Sequence, residues 1–311
     1  MDRCKHRGKY RITILLLALC LFVGCSHKEK QKESQPEGPP RDNTPQILTP
    51  VADGTVTYGD DSVVIDASHT SDGYVMVKYT GTCELVKVLL TLPDQTVYKY
   101  TLSLNGDYDV FPLPGGEGVY QLDIMEHVAD DQYATAFSQP LEVSLTDEFS
   151  PFLYPNQYVS FTADSLAVAK AASLAENCYS DLEVVEKIYD FVIGDIKYDK
   201  EKADNVKSGY LPDVDETLET QKGICFDYAS LMTTMFRSQG IPTKLEIGYT
   251  QELKHAWIST YLDEIGWVDS IIYFDGNSWE LMDPTLAASN GAKDLKKYIG
   301  DGSNYTLQYS Y

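Results

Sequence analysis

The hydrophobic period of this 311-residue chain changes near residue 148, and that change dictates two unlike structural regions. Before it, Val75, Val77 and Tyr79 alternate with polar or small neighbours, as do Val86, Val88 and Leu90, and Tyr120, Leu122 and Ile124. Alternation of this kind is the signature of strands with one buried face. Turn signals separate the runs at Pro93-Asp94, Asn105-Gly106 and Pro114-Gly115-Gly116. Several short strands at this spacing predict an all-β sandwich over residues 49–147. The 23 tyrosines agree with a strand-rich chain.

A connection carrying Pro151 and Pro155 follows, and the period lengthens. A first helix is predicted over 163–177 with Thr162 as its cap. A second, over 181–196, sets Val184, Val185, Ile188, Phe191 and Val192 on one stripe. A third starts near Cys225 and buries Phe226, Ala229, Met232, Met235 and Phe236, with Gly240 and Pro242 ending it. Strands are predicted at 243–249, 255–262, 267–274 and 279–282. Helices first and sheet second make residues 148–311 an α+β domain.

The first residues carry a different message. Arg3, Lys5, Arg7, Lys9 and Arg11 precede an apolar run from Ile12 to Val23, which is short for a membrane span. The run ends in Phe22-Val23-Gly24-Cys25, which resembles a bacterial lipobox. That resemblance implies a signal peptide over 1–24, lipid on Cys25, and an extracytoplasmic protein held to a membrane by its N-terminus. Residues 25–48 are rich in Lys, Glu, Gln, Ser and Pro and are expected to form a flexible tether. Removing 1–24 takes away five basic residues and one acidic residue, leaving 20 basic and 46 acidic, a net charge of about −26. So acidic a chain is a poor partner for nucleic acid.

Only Cys83, Cys178 and Cys225 then remain. Three thiols cannot all pair within one chain, so at least one is left over even if Cys83 and Cys178 bridge. After residue 150 there is one histidine, His255, and no HExxH, CxxC or phosphate loop, so neither a metal nor another cofactor is expected. Cys225 follows Gly223-Ile224 and opens a helix, whose positive end is expected to lower a thiol's pKa. His255 is the imidazole available to it, and a nucleophile–base–acid order follows along the chain. Asp269, Asp275 and Asp283 all stand after His255 as candidate acids.

Five blocks now carry a family resemblance: Gly223-Ile224-Cys225-Phe226-Asp227-Tyr228-Ala229, Gly240-Ile241-Pro242, Gly248-Tyr249, His255-Ala256-Trp257 and Asp283-Pro284-Thr285. In this order they resemble the bacterial transglutaminase-like superfamily over roughly Leu182 to Leu286. The resemblance implies a papain-like core of helices packed on an antiparallel sheet. In it Cys225 is the nucleophile, His255 the base and Asp283 the acid that orients the ring. Asp283 is preferred over Asp269 because it lies after Trp279 and directly before Pro284-Thr285. Gln221 and Tyr198 are candidates for oxyanion donation or for lining the site, and Trp257 for walling a groove. Tyr198 and the tryptophans have an equally available role as packing.

Gly118-Val119-Tyr120 entering an alternating strand is similar to bacterial immunoglobulin-like modules, so the sandwich is expected to be of that type. The expected chemistry is acyl transfer from a peptide, protein or cell-wall peptide amide, with a peptidase or amidase outcome slightly preferred to crosslinking. The alternative is a surface binding or scaffold lipoprotein that keeps the fold without turnover.

Overall fold

The computed structural model describes residues 38–250, 253–268, 273–274, 279–280 and 305–311. The alternating region forms two antiparallel four-stranded sheets. One orders β1 (Thr57–Gly59), β2 (Val63–Asp66), β3 (Tyr74–Tyr79) and β6 (Asp109–Pro112) as β1-β2-β3-β6. The other orders β4 (Val86–Thr91), β5 (Val97–Thr101), β7 (Gly118–Ala129) and β8 (Gln132–Val143) as β5-β4-β7-β8. Every residue named above for the alternating pattern is buried, and the inward rows of both sheets share one apolar core. Each such aliphatic side chain contributes about 1.5–3 kcal/mol through burial.

The second region winds α1 (Leu166–Leu174), α2 (Asp181–Asp195), α3 (Lys200–Asn205), α4 (Val214–Thr220) and α5 (Cys225–Arg237) before its main sheet. The first helix is shorter than predicted at both ends and starts after Ser165 rather than Thr162. The second agrees closely, because the Ser180 side chain accepts the Glu183 N–H while Glu183 accepts the Tyr179 N–H. The short helices α3 and α4, capped by Asp199 and Asp213, were not predicted, being too brief to show a period. They are flanked by β9 (Lys197–Tyr198) before α3 and β10 (Lys222–Gly223) after α4, a parallel pair that sets Tyr198 opposite Gly223.

The main sheet follows the order β13-β12-β11-β16, from β11 (Thr243–Thr250), β12 (Leu253–Leu262), β13 (Gly266–Val268) and β16 (Tyr305–Ser310). Of the strand predicted over 267–274, the described residues give β13 at one end and β14 (Tyr273–Phe274) at the other, and β14 pairs with β15 (Trp279–Glu280). Helix α5 lies between this sheet and α1, α2 and α4, so it is enclosed on all sides. From Asp227 to Arg237 every one of its residues is buried, where amphipathicity alone predicted one buried face.

Three features join the regions. Tyr98 and Tyr100 of β5 meet Tyr158, Tyr309 and Tyr311 edge-on or stacked at 4.9–5.8 Å. The fully buried Arg237 donates to main-chain oxygens of Tyr154, Thr243 and Tyr311, binding connection, helix and sheet together. The third feature corrects the expected tether: residues 41–46 form a strap rather than a free linker. Arg41 donates to Asp181 and to the Gln239 carbonyl, Asn43 to Ala172, and the Gln46 N–H to Ser238. Cys83, Cys178 and Cys225 are all free thiols, so the bridge considered between Cys83 and Cys178 is not made.

Candidate active site

Cys225 is the first residue of α5, and its position is fixed by what surrounds that helix end. Gly223 pairs with Tyr198 across β9–β10, and the Asp199 N–H donates to the Gly223 carbonyl at 2.9 Å. A Cβ on Gly223 would stand 2.6 Å from the Cβ of Asp227, so only glycine lets the chain pass there. Asp227, fully buried one turn into the helix, accepts the Ile224 N–H at 2.8 Å and closes the first turn. Its carboxylate also receives Lys202 Nζ at 2.8 Å and the Tyr210 hydroxyl, while Lys202 donates to Tyr210 at 2.6 Å. Lys202 and Tyr210 thereby clamp the segment after α3 to the nucleophile's helix.

Sequence reading missed this clamp. Its one legible trace was an acidic residue at the third helical position after Ile224, the place from which a carboxylate caps a helix. Burial and the Asp227 hydrogen bond push the Tyr210 phenol up to about 12, its contact with Lys202 opposing them. The Lys202 ammonium is raised despite its burial, through its hydrogen bonds to Asp227 and Tyr210. Both groups keep their protons throughout the neutral range.

His255 lies on β12 opposite Gly248 of β11, with only 6% of its surface exposed. Gly248 is required here, since a Cβ would come within 2.7 Å of the Trp257 ring and 2.1 Å of the Thr306 carbonyl. Trp257 is buried beside His255 on the same strand face, its ring 6.2 Å away and tilted by 25°. It backs the imidazole and does not line the cavity. Trp267 packs against Phe149, Phe152 and Tyr261 beside the connection between the two regions, which accounts for it as packing.

Cys225 and His255 line one cavity of about 440 Å³, together with Tyr198, Tyr210, Ile224, Phe226 and the segment Val206–Gly209. Burial pushes the Cys225 thiol up from its ordinary value, and hydrogen bonds from the N–H groups of Ala256 and Phe226 draw it partly back. Ala256 directly follows His255, so the thiol is held against the strand segment that carries the imidazole. Burial depresses His255 to about 4. The resting pair is therefore neutral thiol and neutral imidazole. The expected lowering of the thiol by the helix end is outweighed by desolvation. Among the described residues the buried His255 Nε2 has no hydrogen-bond partner.

Tyr198 is half-buried in the cavity wall, its phenol raised by burial and then by Cys225. Gln221 falls outside the site. It is exposed, ends α4 in the left-handed conformation at φ 53°, and uses its carbonyl to accept the Lys197 N–H. The cap demands that backbone, and the side chain faces water. Asp283, the alternatives Asp269 and Asp275, and Cys25 lie outside the described residues. No group of three or more His, Cys, Asp and Glu that could hold a metal occurs among the described residues.

The chain is 24% identical over 243 residues to the UPF0252 protein MJ1282 of Methanocaldococcus jannaschii, covering 71% of this chain and 67% of that protein. It is 29% identical over 115 residues to the kyphoscoliosis peptidase of Mus musculus, or 37% of this chain and 17% of the mouse protein. The solved structure of red sea bream transglutaminase matches with a TM-score of 0.26 at 13% identity, covering 68% of this chain and 48% of that one. The chain thus spans about a sixth of the mouse protein and about half of the fish one. Residues 168–270, which carry most of α1, all of α2 to α5, Cys225 and His255, match the family model of the transglutaminase-like superfamily.

Proposed function

We propose that the protein performs cysteine-dependent acyl chemistry on peptide or protein amides, with Cys225 as nucleophile, His255 as general base and Asp283 as the acid that orients the ring. The observation that carries this reading is the shared cavity: a helix-start thiol and an otherwise buried imidazole open onto the same space. Because the resting pair is neutral, His255 removes the thiol proton as sulfur attacks the carbonyl carbon. The S–C bond forms, the C–N bond breaks, and the proton leaves with the amine. Water or a second amine then cleaves the thioester, giving hydrolysis or transfer. Hydrolysis is favoured because water needs no second binding site.

The test is alkylation of Cys225 by iodoacetamide against pH. With His255 acting as base, the rate falls as the imidazole protonates: burial alone sets that fall near about 4, and the Asp283 carboxylate on the ring moves it upward. His255→Ala lowers the neutral-pH rate by roughly 10²-fold, within the usual range for a general base. A Cys225 that follows an ordinary thiol titration, unchanged by His255→Ala, would sink the reading. It would favour instead a binding module that keeps the fold. Turnover of peptide and wall-fragment libraries with and without an added amine separates hydrolysis from transfer.

The two-sheet region is read as an immunoglobulin-like presenter of this domain, and the leader as a lipoprotein signal with Cys25 as its lipid site. Support for these lies in strand spacing and in the lipobox-like end of the leader. Mass spectrometry of the exported protein checks the second, with acylated Cys25 as the expected N-terminus and any other N-terminus counting against it.

A further inference from the structure

The lining of the Cys225 cavity is opposite in charge to the chain that builds it. The sequence carries 47 acidic residues against 25 basic ones. Yet the cavity's described lining contains Lys207 and Lys254 and no aspartate or glutamate. Both lysines are exposed, and neither makes an ion pair among the described residues. They come from separate elements: Lys207 from the segment after α3, Lys254 from β12 immediately before His255. Lys202, nearby, is already committed to Asp227. The rest of the wall is largely apolar, through Ala203, Val206, Ile224, Phe226 and Ile247. In a chain this acidic, two lysines without an ion pair among the described residues, at the mouth of an apolar cleft, offer a local site for anions, set against the charges of Asp204 and Asp227 that reach Tyr198 and Cys225.

We propose that the cavity selects acyl substrates bearing a carboxylate close to the reacting carbonyl, the charge held between Lys207 and Lys254 and the adjoining apolar portion against Val206 and Phe226. The substrate class is an anionic peptide, with an acidic side chain or a free α-carboxylate within a residue or two of the scissile amide. This rests on Cys225 being the nucleophile, and it adds which amides reach it.

Two reagents that deliver the same electrophile with different charge test the field directly. Iodoacetate is anionic and iodoacetamide neutral, and each alkylates a thiol with loss of iodide. On the full chain, site-resolved mass spectrometry gives the iodoacetate-to-iodoacetamide rate ratio at Cys225 and at the half-buried Cys83. The ratio at Cys225 is expected to exceed that at Cys83 by about tenfold at low salt, and to shrink as salt is added. Lys207→Glu with Lys254→Glu should reverse the preference, and the milder Lys207→Gln with Lys254→Gln should remove it.

Equal ratios at the two thiols, or a ratio at Cys225 indifferent to both variant pairs, overturns the proposal while leaving the acyl-transfer reading intact. Failure of Cys225 to react with either reagent overturns both. With matched acidic and amide peptides as substrates, the preference should appear as a lower KM for the acidic peptide that is lost in the Gln variants. A preference for inorganic phosphate over carboxylate peptides, seen as protection of Cys225 from iodoacetate by phosphate alone, would overturn the substrate class.

Discussion

The two-sheet region and the helix-and-sheet region are both well packed, but they bury different things. Between Thr57 and Val143 the described structure buries a single polar or charged residue, Asp66, which accepts N–H groups of Gly54 and Ser68. Between Thr217 and Thr260 it buries Asp227, Arg237, Glu246, His255 and a run of serines and threonines. Apolar burial stabilises without needing partners, whereas a buried charge costs several kcal/mol until its hydrogen bonds are met. The first region is built for stability. The second carries a desolvation cost that its tertiary contacts offset, and that cost leaves His255 uncharged beside Cys225.

Arg237→Ala probes this difference with the largest expected effect. It removes donors to three main-chain oxygens and should destabilise the protein by about 3–5 kcal/mol in urea unfolding. Arg237→Met restores volume but no donors, so it should recover less than half of the loss. Full recovery by methionine would mean that filling space, rather than hydrogen bonding, is what the site requires, and the contrast between the regions would break.

Leu90→Ala, in the first region, is expected to cost about 3 kcal/mol by opening a cavity in a fully buried apolar row. The pH profile of Cys225 alkylation should stay unchanged, since Leu90 touches no ionisable group of the site. A shifted profile would show that the sheets tune the thiol as well as support it.

The smallest effect belongs to His69, which sits between Asp72 and Asp53 on the surface of the first region. Its hydrogen bond to Asp72, and then the nearby charges, raise its pKa above 6.5 against a smaller burial penalty. A raised folded pKa gives stability that is present below about pH 6.5 and lost as pH rises through the folded value. His69→Ala should therefore cost under about 1 kcal/mol at mildly acid pH and nothing in alkali, as thermal melts across pH would measure. A larger cost would show that this region, too, depends on its charges.

What could be read directly was whatever depends on period or on local chemistry. Alternation placed the strands of the first region, and the apolar stripe from Val184 to Val192 placed α2, because a hydrophobic period is set by residues close together in the chain. The same locality explains the misses. Nothing in Arg41-Asp42-Asn43 says that a polar stretch will dock on Asp181 and Gln239, far away along the chain. Gln221 stood near Cys225 in sequence, but the cap of α4 turned it to solvent.

The sequence by itself determined the change from strands to helices and then to sheet, the helix start at Cys225 and the singling out of His255 as its available imidazole. Only the tertiary structure decided that both groups are neutral at rest, that Lys202 and Tyr210 clamp Asp227, and that two lysines from distant segments flank the cavity. The reason is physical. A helix end or a strand pattern is set by neighbours in the chain, whereas desolvation and field depend on every residue that packs nearby, wherever it lies in sequence.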